Sequence, residues 1–275
     1  KLLNDKFPTN LYIDEIQVWH LTKLKSQREK EGCAAQTIKH NFQMIRSSCK
    51  WAKENGYLVK ELEYPKLRIN NKRLRYLSLD EEKRLLAELD PKIDMKNRPK
   101  YEDRSEKENN MRQDNYDLVV MLLDTGARYG EVAKLTWDQI DLDESTINLW
   151  REKVKNQSLL FSTARVESIL QRRYRVRKSE YVFTNAKGDG PRNHATGGIM
   201  KAMKRAGIEG ATLHTLRHTC ASRLIQGNLS LYEVANILGH TDVQTTQRYA
   251  HLESRDVSER ARDIMEVFGD NSRNA

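Results

Sequence analysis

Leu238–His251 reads LGHTDVQTTQRYAH, and its interpretation decides how the rest of the chain is understood. Just upstream, Ser230-Leu231-Tyr232-Glu233 is an S-x-x-E capping box that opens the helical run LYEVANIL, and Gly239 stops that run. His240 follows the glycine. Thr241-Asp242-Val243-Gln244 is a second capping box, opening a helix on which Val243, Thr246 and Tyr249 step by three. Tyr249 then lies about two turns into that helix, on the order of 10 Å from the joint at His240. One reading is packing, with Tyr249 a half-buried aromatic and His240 a helix-end residue. The other is chemical: both residues meet one phosphate, and Tyr249 attacks it.

Two stretches upstream favour the chemical reading. HTLRHTCASRL places His214 and Arg217 at i, i+3 on one helix face. In TGARYGEVAKLTWDQID, Arg128 follows a turn at Gly126 and has Glu131 at i+3, where a carboxylate can hold the guanidinium still. Attack on a phosphodiester builds charge on the non-bridging oxygens. Two arginines can clamp that charge and stay protonated at any working pH. Histidines can donate hydrogen bonds or carry the nucleophile's proton, which a phenol with a pKa near 10 needs. A lysine beside the leaving 5′ oxygen would serve as general acid. No Asp/Glu cluster suits two metal ions, so metal-assisted cleavage is disfavoured and no cofactor is expected. Each element alone is commonplace, but their combined order is specific.

Composition sets the outer limits. The chain has 275 residues, 32% of them charged, with a formal charge of +9. No stretch of eighteen apolar residues occurs, so no membrane span is expected. The opening KLLNDKFPTN has no apolar region of the signal-peptide kind and, lacking Met, leaves room for residues upstream. Cys33, Cys49 and Cys220 have neither disulfide-frame nor zinc spacing, which fits a reducing cytoplasm. Through Ser78, 16 Lys and Arg stand against 8 Asp and Glu, leaving 32 against 31 for the remainder. That basic front end suggests a polyanion partner, most simply nucleic acid.

The organisation follows from periodicity. Residues 10–64 read as two or three short helices, with Ile13, Ile16, Leu21 and Leu24 on one stripe and Ile38, Phe42, Ile45, Cys49 and Ala52 on another. A basic connector carrying Lys66, Arg68, Lys72, Arg73 and Arg75 leads to the capping box Ser78–Glu81, where a second domain starts. Residues 91–115 are nearly free of apolar side chains and read as an exposed insertion or mobile loop. Leu118, Val119, Leu122 and Leu123 mark a buried helix. STINLW and LLFS read as a hairpin, and YVFT as a further short strand. Helical patterning resumes from Ala195. The fold class expected is mainly α with a small β-hairpin or sheet, in two domains.

The three quoted stretches resemble the tyrosine recombinase, or phage integrase, family of site-specific DNA recombinases. The resemblance covers roughly residues 79–255 by motif, and 10–64 only by helical, basic character. It implies a core-type DNA-binding domain over 1–66, a linker over 67–78 and a mixed α+β catalytic domain over 79–275. By resemblance, Arg128 and Arg217 bind the phosphate, His214 and His240 are the two histidines of the site, and Glu131 buttresses it. Tyr249 is the nucleophile that forms a 3′-phosphotyrosyl bond and frees a 5′ hydroxyl, without metal or ATP. The family's hairpin lysine falls at Lys153, with Lys155 the alternative; Gln157 and Leu160 stand near where the family usually shows an Arg and a Pro. The implied assembly is a C-shaped clamp on double-stranded DNA, monomeric when free and tetrameric when two sites synapse, with room for accessory DNA-bending proteins. The tail after His251 has an amphipathic stretch around Val257, Ile264 and Val267, which fits either self-packing or docking on a neighbouring protomer. The rival functions are a type IB topoisomerase-like relaxing enzyme and a non-catalytic DNA-binding regulator on the same fold.

Overall fold

The computed structural model describes residues 11–57, 59–68, 74–94, 99–151, 156–193, 196–240, 244–250, 262 and 265–266. The chain divides into two compact units, Lys1–Arg73 and Leu74–Ala275. In the first, helices α1 (Val18–Lys30) and α2 (Ala35–Glu54) pack through Leu21, Leu24, Ile38, Phe42 and Ile45. These are apolar positions on the expected stripes, with Cys49 and Ile16 at the margin. Phe42 meets Tyr64 edge to face at 5.7 Å, so the segment after α2 folds back to close this small core.

In the second unit, α3 (Leu79–Leu89) begins at the expected capping box: Ser78 N donates to Glu81 Oε2 at 3.0 Å and Glu81 N to Ser78 Oγ at 3.1 Å. Helix α4 (Glu106–Thr125) runs through the middle of the unit, with every side chain from Leu118 to Leu123 buried. A helix apolar on all sides has to be enclosed, and α3, α6 (Ala164–Arg175), α7 (Gly197–Arg205) and α8 (Leu213–Gln226) pack against it. The short helices α5 (Tyr129–Ala133), α9 (Leu231–Leu238) and α10 (Gln244–Gln247) complete the helical set among the described residues.

The sheet is antiparallel in the order β1 (Ile140–Asp141), β2 (Thr146–Arg151), β3 (Asn156–Phe161). The register pairs Ile147 with Leu160 and Leu149 with Ser158. That puts Ile147, Leu149 and Leu160 into the core and leaves Trp150, Leu159 and Phe161 exposed on the other face.

Two expectations are corrected. The described residues of 91–115 are mostly exposed, as expected, but they are not all loop: α4 starts at Glu106, capped by Ser105, and occupies the later part of that stretch. The buried Arg104 donates Nε to Pro99 O at 2.8 Å and Nη1 to Pro91 O at 2.6 Å, closing the segment on itself. Farther along, Arg192 Nη2 donates to Asn115 Oδ1 at 2.6 Å, and the fully buried Asp117 accepts from Arg173 Nε at 2.8 Å. Within it Arg104, Arg112 and Asn115 are buried with polar partners, which leaves no apolar periodicity to read. YVFT likewise forms no strand of the sheet. Tyr181 and Thr184 make isolated bridges to Thr136 and Pro191, while Val182 and Phe183 enter the core between them.

Candidate active site

Three stretches far apart in sequence meet around the turn after α4. Gly126 caps α4 at φ 61°, in the left-handed region that glycine occupies without strain. Space also requires glycine: a Cβ here would lie 2.6 Å from Leu238 Cδ2 and 3.1 Å from Cys220 Sγ. The turn therefore sits directly against α8 and the end of α9. Arg217, on α8 and 2% exposed, ties the three together. Its Nη1 donates to Gly126 O at 2.7 Å and its Nη2 to Leu238 O at 2.8 Å.

Each predicted side chain can now be placed. Arg128 is the residue before α5, two positions after Gly126. Its Nη1 lies 2.7 Å from Glu131 Oε1, and Glu131 Oε2 accepts from the Arg128 backbone at 2.8 Å. The expected i, i+3 carboxylate thus holds both ends of the arginine. His214 is on the first turn of α8 and surface-exposed. Its pKa is held below the usual imidazole range by the protein packed around the ring, then by the positive charges of Arg217, Arg128 and Arg248.

His240 follows Gly239, which caps α9 at φ 62°. Its Nδ1 is 2.8 Å from the hydroxyl of Thr246, itself fully buried on α10. The histidine therefore bridges the helix joint instead of pointing away from it. Tyr249 is 1% exposed and packs among Ala221, Ile225, Val234 and Leu238. Burial pushes its hydroxyl up to about 12.

The residue that sequence reasoning missed is His218. Its Nδ1 lies 2.6 Å from Tyr249 Oη, and its ring stands edge-on to His214 at 4.6 Å between centroids. A signal existed, because His218 is at i+4 from His214 and therefore on the same helix face. Burial, with the charges of His214, Arg248 and Arg217, pushes His218 down to about 4.

These depressed imidazoles make a stability prediction. An unfolded histidine titrates near 6.5, so between that value and about 4 the unfolded chain binds more protons than the folded one. The stabilisation from keeping these rings neutral is complete above pH 6.5 and is lost as pH falls toward 4. Urea midpoints followed from pH 7 to 4.5 should fall in wild type and fall less steeply in His218→Phe. Equal slopes would contradict the shift.

Among the linker residues, Lys66 and Arg68 are exposed. Arg75 is committed within its own unit: it forms an ion pair with Glu81, and its Nε donates to Glu209 O at 3.3 Å. Lys72, Arg73, Lys153 and Lys155 lie outside the described residues, as do Thr241 to Val243 of the third capping box and most of the tail after Ala250. In the first unit, Lys39, Arg46, Lys50 and Lys53 are all exposed along one side of α2, a stripe at i, i+7, i+11 and i+14 that sequence reasoning counted only as net charge. Among the described residues, no group of three or more His, Cys, Asp and Glu is placed to hold a metal ion. No described helix is long and apolar enough to cross a membrane.

Comparison with known proteins gives a family and a fold. The integrase of Salmonella phage P22 is 27% identical over 212 residues, which cover 72% of this chain and 49% of that protein. The tyrosine recombinase XerD of Corynebacterium glutamicum is 31% identical over 144 residues, covering 49% and 47% respectively. The chain thus spans about half the length of the curated relatives it matches. The fold is that of the Tn1549 transposon integrase solved with transposon right end DNA, at TM-score 0.75 and 17% identity over 94% of this chain and 90% of that one. It is also that of the XerH recombinase bound to a palindromic difH substrate, at TM-score 0.67 and 22% identity over 92% and 72%. The phage integrase family model matches residues 75–255, a span holding the Arg128 turn, the His214–Arg217 face of α8 and Tyr249, and the chain belongs to that family.

Proposed function

We propose that this chain is a site-specific DNA recombinase that cuts and rejoins duplex DNA through a covalent bond to Tyr249. One observation carries the reading. Buried Arg217 bridges the carbonyls of Gly126 and Leu238, so the Arg128 turn, the His214 face of α8 and the joint leading to Tyr249 converge on it. A guanidinium fixed in this way and shielded from water acts more strongly on a nearby phosphate than one in solution.

In this mechanism Arg128 and Arg217 take the non-bridging oxygens of the scissile phosphate. Tyr249 Oη attacks phosphorus as the bond to the 5′ oxygen breaks, giving a 3′-phosphotyrosyl ester. His214 and His240 hydrogen-bond the phosphate or carry the phenol's proton. Lys153, or Lys155 in its place, protonates the leaving 5′ oxygen. The ester keeps the energy of the broken bond, so attack by another 5′ hydroxyl rejoins DNA without ATP, and the arginines supply the charge stabilisation. Glu131 keeps Arg128 in position. A DNA duplex as substrate is supported by the Tn1549 integrase and XerH, both solved on DNA. We assign residues 1–66 to a DNA-gripping domain, 67–78 to a linker and 79–275 to the catalytic domain. The active species is a tetramer on two synapsed sites, assembled in the cytoplasm from monomers.

The test is a pool of nicked duplexes with randomised sequence around the nick, which lose the short fragment bearing the freed 5′ hydroxyl after cleavage and trap the ester. Wild-type protein should yield SDS-stable adducts whose digested peptide carries a nucleotide on Tyr249. Adducts mapping to another residue would sink the assignment. Recombinant product from two-site plasmids, against mere relaxation of one-site plasmids, separates a recombinase from a topoisomerase.

Grip on DNA makes a further prediction. Lys39, Lys50 and Lys53 protrude from α2, and the exposed pair of Lys50 with Glu54 at 3.7 Å is one that a phosphate can displace. Replacing all three with alanine should lower the slope of log binding constant against log salt by roughly 2 to 3, one counterion for each lost phosphate contact. Titrations between 50 and 250 mM salt measure it. An unchanged slope would place the DNA elsewhere on this unit.

A further inference from the structure

We propose that His218 is a positioning residue for the nucleophile, holding the Tyr249 hydroxyl in a buried resting pose that must be broken before the phenol can reach a DNA phosphate. This rests on the assignment of Tyr249 as nucleophile.

Three observations lead there. First, Tyr249 is sealed: its ring is enclosed by Ala221, Ile225, Val234 and Leu238, and it is 1% exposed. A phosphodiester with its sugars cannot approach an oxygen in that position. Second, the hydroxyl has a specific partner, His218 Nδ1 at 2.6 Å, on the residue next to Arg217. Third, Tyr249 follows the left-handed cap of α9 at Gly239, and the bond between His240 and Thr246 ties α10 to that joint. Release must break both side-chain hydrogen bonds and expose the Tyr249 ring, a cost that contacts to DNA would have to offset.

The proton bookkeeping separates a latch from a catalytic base. In this pose the phenol oxygen and the neutral imidazole Nδ1 share one hydrogen bond, whose donor is set by the imidazole tautomer. With the hydroxyl pushed up to about 12 and the imidazole down to about 4, the proton stays on oxygen. His218 therefore keeps the phenol protonated here and does not generate phenolate. His214 stands edge-on to this ring, 4.6 Å away between centroids, and feels the charges of Arg217 and Arg128.

The experiment measures single-turnover adduct formation on a saturating nicked duplex, together with nitration of Tyr249 by tetranitromethane in the DNA-free protein. His218→Phe should raise the cleavage rate by about tenfold, the worth of one hydrogen bond, and should raise Tyr249 nitration while leaving the exposed Tyr232 unchanged. His218→Gln, which can still accept from the hydroxyl, should fall between wild type and His218→Phe. A His218→Phe rate that drops, or stays within twofold of wild type, overturns the latch. If that variant does not fold, wild type decides: Tyr249 should resist nitration alone and gain reactivity on an unnicked duplex. Nitration of free wild-type Tyr249 as fast as Tyr232 would equally overturn the proposal. A Tyr249→Phe protein that still forms adduct would instead remove the nucleophile assignment, whatever the nitration result.

Discussion

Tyr249→Phe is expected to abolish the covalent protein–DNA adduct, a loss of at least ~10⁴-fold, while leaving noncovalent DNA binding and folding nearly intact. The loss is large because the oxygen is the attacking atom, and the side chains packed on its ring carry no nucleophile. Ala221, Ile225, Val234 and Leu238 supply only hydrocarbon. The effect on folding is small because phenylalanine fills the same space, and only the bond to His218 disappears, about 1 kcal/mol. The pair of results is diagnostic. A regulator that merely keeps the fold would bind DNA equally well in both forms and give no SDS-stable adduct in either. A recombinase gives adduct in wild type alone. Gel shift and denaturing gel on the same nicked duplex supply both measurements.

How much of this was legible in the sequence depended on what kind of force places each residue. Turns and caps were readable because a single residue type carries them. Gly126 and Gly239 both take the left-handed conformation, and the Ser78 and Ser230 boxes both form their reciprocal bonds. The α4 core was readable from Leu118 to Leu123 because unbroken apolar runs have to be enclosed. The pairing of Arg128 with Glu131 followed from helix spacing. What could not be read was burial by polar exchange. Arg104, Asn115, Asp117 and Arg192 look like surface residues, and only the tertiary fold brings each its partner across the chain. Nor could the sequence show that Tyr249 is sealed. Its stepping with Thr246 gave the right face, but enclosure needs α8 and α9 behind it. His218 was overlooked for a related reason. The His214–Arg217 spacing drew attention to one pair on α8, and the third member of that face acquires its meaning only from Tyr249, 31 residues on.

Arg217 is the position where substitution should damage both the fold and the chemistry, and the two can be separated. In Arg217→Ala, the carbonyls of Gly126 and Leu238 lose their donors in a place without water. Each orphaned acceptor costs about 1 to 3 kcal/mol, so a loss of roughly 2 to 5 kcal/mol is expected, enough to lower Tm by several degrees and blur any activity result. Arg217→Lys is the sharper variant. Lysine keeps the positive charge but presents a point donor on a flexible stem, and cannot span two carbonyls in a fixed plane. Its stability loss should be milder, yet adduct formation should fall about 10²- to 10³-fold at a temperature where the protein is fully folded, because a clamp on transition-state charge depends on being held in place beforehand. His214 reports the electrostatic half of the change. Removing the guanidinium in Arg217→Ala takes away the largest of the charges that hold this imidazole down, so its NMR titration should move back toward the ordinary histidine range. In Arg217→Lys the titration should stay low while cleavage is lost. If cleavage in Arg217→Lys remained near wild type, charge alone would suffice, and the fixed bridge from Gly126 to Leu238 would have only a folding role.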